Sequence, residues 1–183
     1  MISDKMNSVL LEQASKKMLP IPLLKAIVMT ESGGDENALR AEPHYRYLVN
    51  CVTGKPFRVL TAAEIKSETA PSDFPYFPAI SSRDTEWLGQ QMSWGAMQIM
   101  GAVAREYGFK GAFPELAGDE GIEYACKHLA KLRDRFYVGH GWQGVGAAYN
   151  AGSVRFSDGD DFVNQIYVDK LAKNGAFGRV QNG

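Results

Sequence analysis

A chain of 183 residues is long enough for one domain, or for one domain carrying a large insertion, and folding at this length can bury roughly 70% of the unfolded surface without help from a metal or a disulfide. An apolar fraction of 45% and a charged fraction of 22% exclude a disordered chain and fit a soluble globular one. Twenty Lys and Arg against 21 Asp and Glu give a net charge of −1 with no basic block, which argues against nucleic acid or an anionic membrane surface as the main partner.

Ser3 or Asp4 can cap a first helix, with Met6, Val9, Leu10 and Ala14 on one face, that ends before Pro20. Its sequence, MISDKMNSVLLEQASKK, mixes acids and polar residues into the apolar pattern and reads as an amphipathic helix, not a signal peptide. No run approaches the ~18 apolar residues of a membrane span, so no membrane insertion is expected. The protein is expected to be made in the cytoplasm and, if it acts elsewhere, to be delivered by something else. Pro22 suits the first turn of a second helix with Leu23, Leu24, Ile27 and Val28 as its apolar residues and Gly33-Gly34 as its stop.

Residues 41–91 have a different character. They hold five of the eight prolines and seven of the twenty aromatics, and that aromatic content argues for an ordered insertion rather than a disordered one. YRYLVN and PFRVL, separated by TGK, suggest a small hairpin. Thr61 to Glu64 has the pattern of a capping box for a short helix, and SETAPSDFPYFP is expected to be loop.

From Ser93 the spacing predicts helix, with Met97, Met100, Ala104 and Tyr107 as a stripe ending at Gly108. Asp119 can cap a long helix with Ile122, Ala125, Cys126, Leu129, Leu132 and Phe136 on one face, ending at Gly139. GWQGVGAAYNAG, residues 141–152, reads as a short helix. Asp160 or Asp161 is expected to cap a last helix with Phe162, Val163, Ile166, Tyr167 and Leu171, followed by a frayed tail, GAFGRVQNG. Residues 1–183 thus read as a single mostly α domain with an irregular insertion at about 41–91.

Cys51 and Cys126 lack a metal-site spacing and read as free structural thiols. His44, His128 and His140 show no metal spacing either, and His128, between Lys127 and Lys131, is expected to be exposed. Neither a metal nor a cofactor is expected.

The informative residue is Glu31. It lies three residues after Val28, four after Ile27 and seven after Leu24, which places it on the apolar face of the second helix. It also sits in the last turn, where the helix dipole is negative. Burial and dipole both disfavour the anion and would help the carboxyl keep its proton near neutral pH, as a general acid requires. A buried structural glutamate paired with Arg or Lys, or a helix-end residue facing solvent, is the plain alternative.

Two further stretches, SWGAMQIM at Ser93 to Met100 and AAYNAG at Ala147 to Gly152, stand in a fixed order after Glu31-Ser32. Together, Glu31-Ser32, Gly95-Ala96-Met97-Gln98-Ile99 and Ala148-Tyr149-Asn150-Ala151-Gly152 resemble the lytic transglycosylase family of the soluble type, which has a lysozyme-like fold related to the goose-type lysozymes. The resemblance covers residues 22–40 and 93–171. It departs from the family in three places. Roughly sixty residues separate the first two motifs. Val163 and Asn164 stand where the late E-T-x-x-Y-V motif, ending on Tyr167-Val168, has Glu and Thr. Gly121-Ile122 replaces N-I in the long helix. A comparable insertion and an S-W-G-x-M-Q stretch look like those of phage-encoded cell-wall enzymes.

The resemblance implies cleavage of the MurNAc-GlcNAc β-1,4 bond of peptidoglycan, with Glu31 acting as general acid and then as base to close a 1,6-anhydro ring. It implies Tyr149 as the group that holds Glu31, and Ser32, Ser93, Met97, Gln98 and Asn150 as substrate-binding residues, each with a structural alternative such as a cap or core packing. Glycan strands are the expected partner, with other virion proteins as further partners of a phage protein. Glu42 and Glu86 are the candidates for a second carboxylate, which would make the enzyme a hydrolytic muramidase; ion pairs, with Arg40 or Arg83 as partners, are the alternative for both. A non-catalytic glycan-binding or virion structural domain is the reading from another class. The insertion's aromatics, Tyr45, Tyr47, Phe74, Tyr76, Phe77 and Trp87, either pack a small core or stack on sugars.

Overall fold

The computed structural model describes residues 1–43 and 45–178. His44 and the last five residues of the expected frayed tail lie outside them. The described residues are mostly α-helical with a small antiparallel sheet, in keeping with the lysozyme-like class expected from the sequence. They divide into two compact units, one formed by Met1–Gly34 with Cys126–Gly183 and the other by Asp35–Ala125.

The first unit is helical. Helix α1 (Asp4–Lys17) starts at Ser3, whose hydroxyl accepts from the Met6 amide, and buries Met6, Leu10 and Ala14. Met18 ends it in the left-handed region (φ 51°), with its carbonyl taken by Arg133 Nη1 at 3.1 Å. Helix α2 (Ile21–Glu31) has Pro22 in its first turn, where a missing N–H costs nothing, and buries Leu23, Leu24, Ala26, Ile27 and Val28. It packs against α1 and against α7 (Gln165–Lys173), where Val168 and Leu171 are buried. Helix α6 (Asp119–Ala151) is broken at Gly141 (φ 58°, ψ −166°), so the two helices expected from the sequence are present and meet at that glycine. A Cβ at Gly146 would stand 2.6 Å from Leu171 Cδ1, so close packing of α7 explains that glycine.

Helix α7 corrects the expected start. It begins at Gln165, not after Asp160 or Asp161, because Asp160 is left-handed (φ 66°) and Phe162 is held in a β-bridge before the chain turns into the helix. There Phe156 pairs with Phe162, and Val163 N donates to Arg155 O at 2.9 Å. Val163 and Ile166, expected in the core, are exposed.

In the second unit, strands β1 (Leu39–Ala41), β4 (Met92–Trp94) and β5 (Ile99–Met100) form an antiparallel sheet in the order β1-β4-β5. Ala41 faces Met92, so the insertion leaves and returns at neighbouring positions of one strand pair. The helix expected from Ser93 is instead a β4–β5 hairpin. Gly95 (φ 70°) and Gln98 (φ 51°) turn the chain within four residues, and helix α5 (Gly101–Glu106) follows. A Cβ at Gly95 would lie 2.3 Å from the Leu116 carbonyl oxygen, so both backbone angle and contact require glycine there.

Inside the insertion, β2 (Val49–Asn50) and β3 (Lys55–Pro56) make the expected hairpin. Thr61 and Glu64 form the capping box of the one-turn helix α3 (Ala62–Ile65). Residues 67–78 contain no helix or strand. Helix α4 (Arg83–Gln90) was not expected, although Ser82 as cap with Asp84 and Glu86 in the first turn is a helix-start pattern. Phe74 meets Trp87 at 5.1 Å and Phe57 at 5.0 Å, both edge-on, over buried Leu48, Val49 and Leu60. The packing alternative therefore holds for Phe74 and Trp87.

Candidate active site

Glu31 is the last residue of α2, half-buried, and Gly33 (φ 65°) and Gly34 (φ 92°) turn the chain away directly after it. The Tyr167 hydroxyl, from the first turn of α7, donates to Glu31 Oε1 at 2.7 Å. That length is ordinary for an O–H···O hydrogen bond. Burial first, and then the negative charge of Glu31, push the Tyr167 phenol far above its ordinary range, so it stays a donor at every physiological pH. The sequence marks Tyr167 as a residue of the apolar face of the last helix and of the late motif, not as the group on Glu31.

Tyr149, named from the sequence for that role, belongs to the same site. Burial and then the charge of Glu31 raise its pKa well above the ordinary value. Its ring lies 5.8 Å from the imidazole of His128. His128 corrects the expectation of an exposed side chain: it is half-buried, and burial lowers its pKa from 6.5 to about 4, so it is neutral at pH 7.

The two helices that carry the tyrosines are tied by Asn164, whose Nδ2 donates to Ala147 O and to Asn150 Oδ1, both at 3.0 Å. Asn164 stands where the family motif has Thr, and its amide reaches the A-Y-N-A-G stretch. Asn150 itself is exposed. The Ser32 hydroxyl donates to Val28 O (3.1 Å) and accepts from Gly34 N (3.2 Å), a local cap of α2.

The other sequence-derived residues lie in the second unit, where their partners are structural. Ser93 Oγ donates to Gln98 Oε1 at 2.9 Å, and Gln98 Nε2 donates to Ala38 O (3.0 Å) and Gly95 O (2.9 Å). The Gln98 amide thus holds the β4–β5 turn closed. Met97 is 1% exposed and sits in the core of this unit. Glu42 pairs with Arg40 at 2.6 Å. Glu86 is fully buried; its two oxygens accept from Arg105 Nε (2.8 Å) and Nη2 (2.9 Å), and Gln90 Nε2 adds a third bond at 3.0 Å. Of the two arginines named as ion-pair partners, Arg40 holds Glu42, while Glu86 is held by Arg105 and not by Arg83.

Among the described residues no group of three His, Cys, Asp or Glu is placed to hold a metal, and no helix is long and apolar enough to cross a membrane. The family model of the Transglycosylase SLT domain matches residues 8–160. The chain belongs to the transglycosylase SLT family. The match takes in Glu31-Ser32, the Ser93–Met100 hairpin and Tyr149-Asn150, and it stops short of Tyr167. Comparisons with curated proteins and with solved structures found no match. As an SLT domain the chain acts in general as a peptidoglycan lytic transglycosylase, an enzyme of glycosidic bond cleavage in the cell wall.

Proposed function

We propose that Glu31 alone carries the reaction, as acid and then as base, at the MurNAc-GlcNAc β-1,4 bond. The Glu31 proton passes to the bridging oxygen, the bond from muramic C1 to that oxygen breaks, and GlcNAc leaves with its hydroxyl restored. The muramic C6 oxygen then bonds to C1, its proton returns to Glu31, and the product carries a 1,6-anhydro end with no water consumed. The observation that supports this most is the Tyr167 bond to Glu31 beside the Tyr149 phenol: a carboxyl at a helix end is fixed by a hydroxyl that does not itself ionise. Tyr149 assists from the same site, and exposed Asn150, with Ser32 beside Glu31, meets the glycan. Ser93, Met97 and Gln98 contribute by shaping the β4–β5 turn.

A second carboxylate is not required by this reading. Glu86 is enclosed and spent on Arg105, and Glu42 is paired with Arg40. A phage-encoded enzyme, working on the wall after delivery with virion proteins as partners, is the setting that the insertion and the S-W-G-x-M-Q stretch favour.

Mass spectrometry of muropeptides from purified peptidoglycan, digested with the wild type and with Glu31→Gln, tests the proposal. Products one water lighter than hydrolytic ones, absent with Glu31→Gln, are expected. Undiminished turnover by the variant would sink the role of Glu31. Hydrated reducing ends would instead mean a muramidase, and binding without products from either protein a glycan-binding or virion structural domain.

A further inference from the structure

The second unit contains a groove of about 600 Å³ within and beside the insertion. Its volume is in the range of sites for small organic ligands. Its lining includes the aromatic residues Tyr45, Tyr47 and Phe57, Val103 and Glu106 of α5, and Arg46. None of these residues belongs to the unit that holds Glu31.

The chemistry of the lining selects the ligand. Arg58 also borders the groove, but its guanidinium is held by Asp73 (2.7 and 2.8 Å) and by Glu64 (2.6 and 3.0 Å). That leaves Arg46 and Glu106 as opposed charges, so a phosphate, a nucleic acid or an anionic lipid finds no net positive field. Main-chain groups of the lining residues Leu48 and Val49 are occupied too. Leu48 O accepts from Phe57 N, and the Gln90 side chain takes both Val49 N and Val49 O. A peptide strand added there would have no backbone partner at those positions. What remains is side-chain chemistry: rings and hydroxyl tips, with one face of Tyr47 under the Arg46 guanidinium (5.7 Å) and one face of Phe57 under that of Arg58 (5.0 Å). Tyr47 is 69% exposed and meets Tyr45 edge-on at 5.8 Å, and the Tyr45 phenol, raised to about 12 by burial and then by Glu106, keeps its proton. A pyranose ring has the matching form, an apolar C–H face with a rim of hydroxyls.

We infer that this groove is a second saccharide-binding site, taking an N-acetylated hexose unit of a glycan strand and gripping the polymer at a place other than Glu31. The inference rests on peptidoglycan being the polymer on which the chain acts.

Nuclear magnetic resonance titration of the full chain tests it on the Glu31→Gln background, so that turnover plays no part. The probes are the tetramer of N-acetylglucosamine and, separately, a free peptidoglycan stem peptide. The tetramer is expected to shift the amides of residues 45–48 and 58–60 saturably. Tyr47→Ala, at an exposed position that leaves the core intact, is expected to weaken that response tenfold or more while signals near Tyr149 and Tyr167 still respond. Groove amides that ignore the tetramer, that answer the stem peptide instead, or that bind equally well in Tyr47→Ala overturn the inference. Failure of the wild type to release anhydro products bears on Glu31 and not on the groove, so the two readings fail separately.

Discussion

The Tyr167 hydroxyl and the Glu31 carboxylate, 136 residues apart in sequence, meet at 2.7 Å. Tyr167→Phe keeps the ring and removes only the donor. A hydrogen bond to a charged group contributes about 1.5–3 kcal/mol. If it holds Glu31 in its working orientation, turnover falls roughly tenfold to a hundredfold. Initial rates on purified peptidoglycan measure the effect, and a melting temperature confirms that the fold persists. A rate within twofold of the wild type would assign the bond to stability alone.

Glu86 and Arg105 make a different kind of pair, fully enclosed, with the guanidinium also lying 4.3 Å from the Phe113 ring centre and donating to Phe109 O and Gly111 O. Glu86→Leu leaves a buried cation without its counter-ion, which costs about 3–5 kcal/mol. For a chain of this length the melting temperature is expected to drop by about 10 °C or more. Glu86→Gln, which keeps part of the hydrogen bonding, falls between. Calorimetry decides: a change of less than about 2 °C in Glu86→Leu contradicts a structural role. Product analysis below the melting temperature separates this from catalysis, because loss of a water-activating base would remove hydrolytic ends specifically.

His128 predicts a pH dependence of stability. Its folded pKa, about 4, lies below the ordinary 6.5, so between these values the unfolded chain binds more protons than the folded one. Acid therefore favours unfolding across that window. The contribution is fully present above pH 6.5 and lost as the pH falls to 4, and amounts to on the order of 2 kcal/mol. Urea midpoints at pH 7, 5.5 and 4 are expected to fall less steeply for His128→Gln. Parallel slopes for variant and wild type would remove His128 as the source.

Gly95 and Gly33 share a left-handed backbone but not their surroundings. A Cβ at Gly95 would strike the Leu116 carbonyl, whereas one at Gly33 would meet nothing within 4 Å. Gly33→Ala is expected to cost about 1 kcal/mol from backbone conformation alone. Gly95→Ala adds a clash with main chain and is expected to cost at least 2 kcal/mol more, read as a shift in the urea midpoint. Equal losses at the two sites would mean that the contact relaxes freely.

The helices were legible wherever periodicity and punctuation agreed. Ser3, Pro22 and the Gly33-Gly34 pair bound α1 and α2, and the apolar residues between them face inward. The Ser93–Met100 stretch was not legible, since the helical spacing of Met97, Met100 and Ala104 coincides with a hairpin forced by left-handed Gly95 and Gln98. Conformation at Gln98 is unusual for a residue with a side chain, and sequence alone does not announce it. Glu31 stands out in the sequence because its position conflicts with stability: a carboxylate on an apolar face at the negative end of a helix. Tyr167 escaped because the spacing of α7 says which residues face inward but not which one reaches a helix over a hundred positions earlier. Glu86 and Arg105 found each other for the same tertiary reason.

Pairing of Ala41 with Met92 has a consequence for how such a chain can vary. The fifty residues between them enter and leave through one rung of a ladder, like a drawer in a frame. Length changes at the exposed turn of Val52 and Thr53 leave the register of Arg40 against Ser93 untouched, whereas Glu86 and Trp87, inside the same segment, are tied to α5 through Arg105 and Ala102. New length can be added at that turn by evolution, or by an engineer, while Glu31 stays with a separate set of helices.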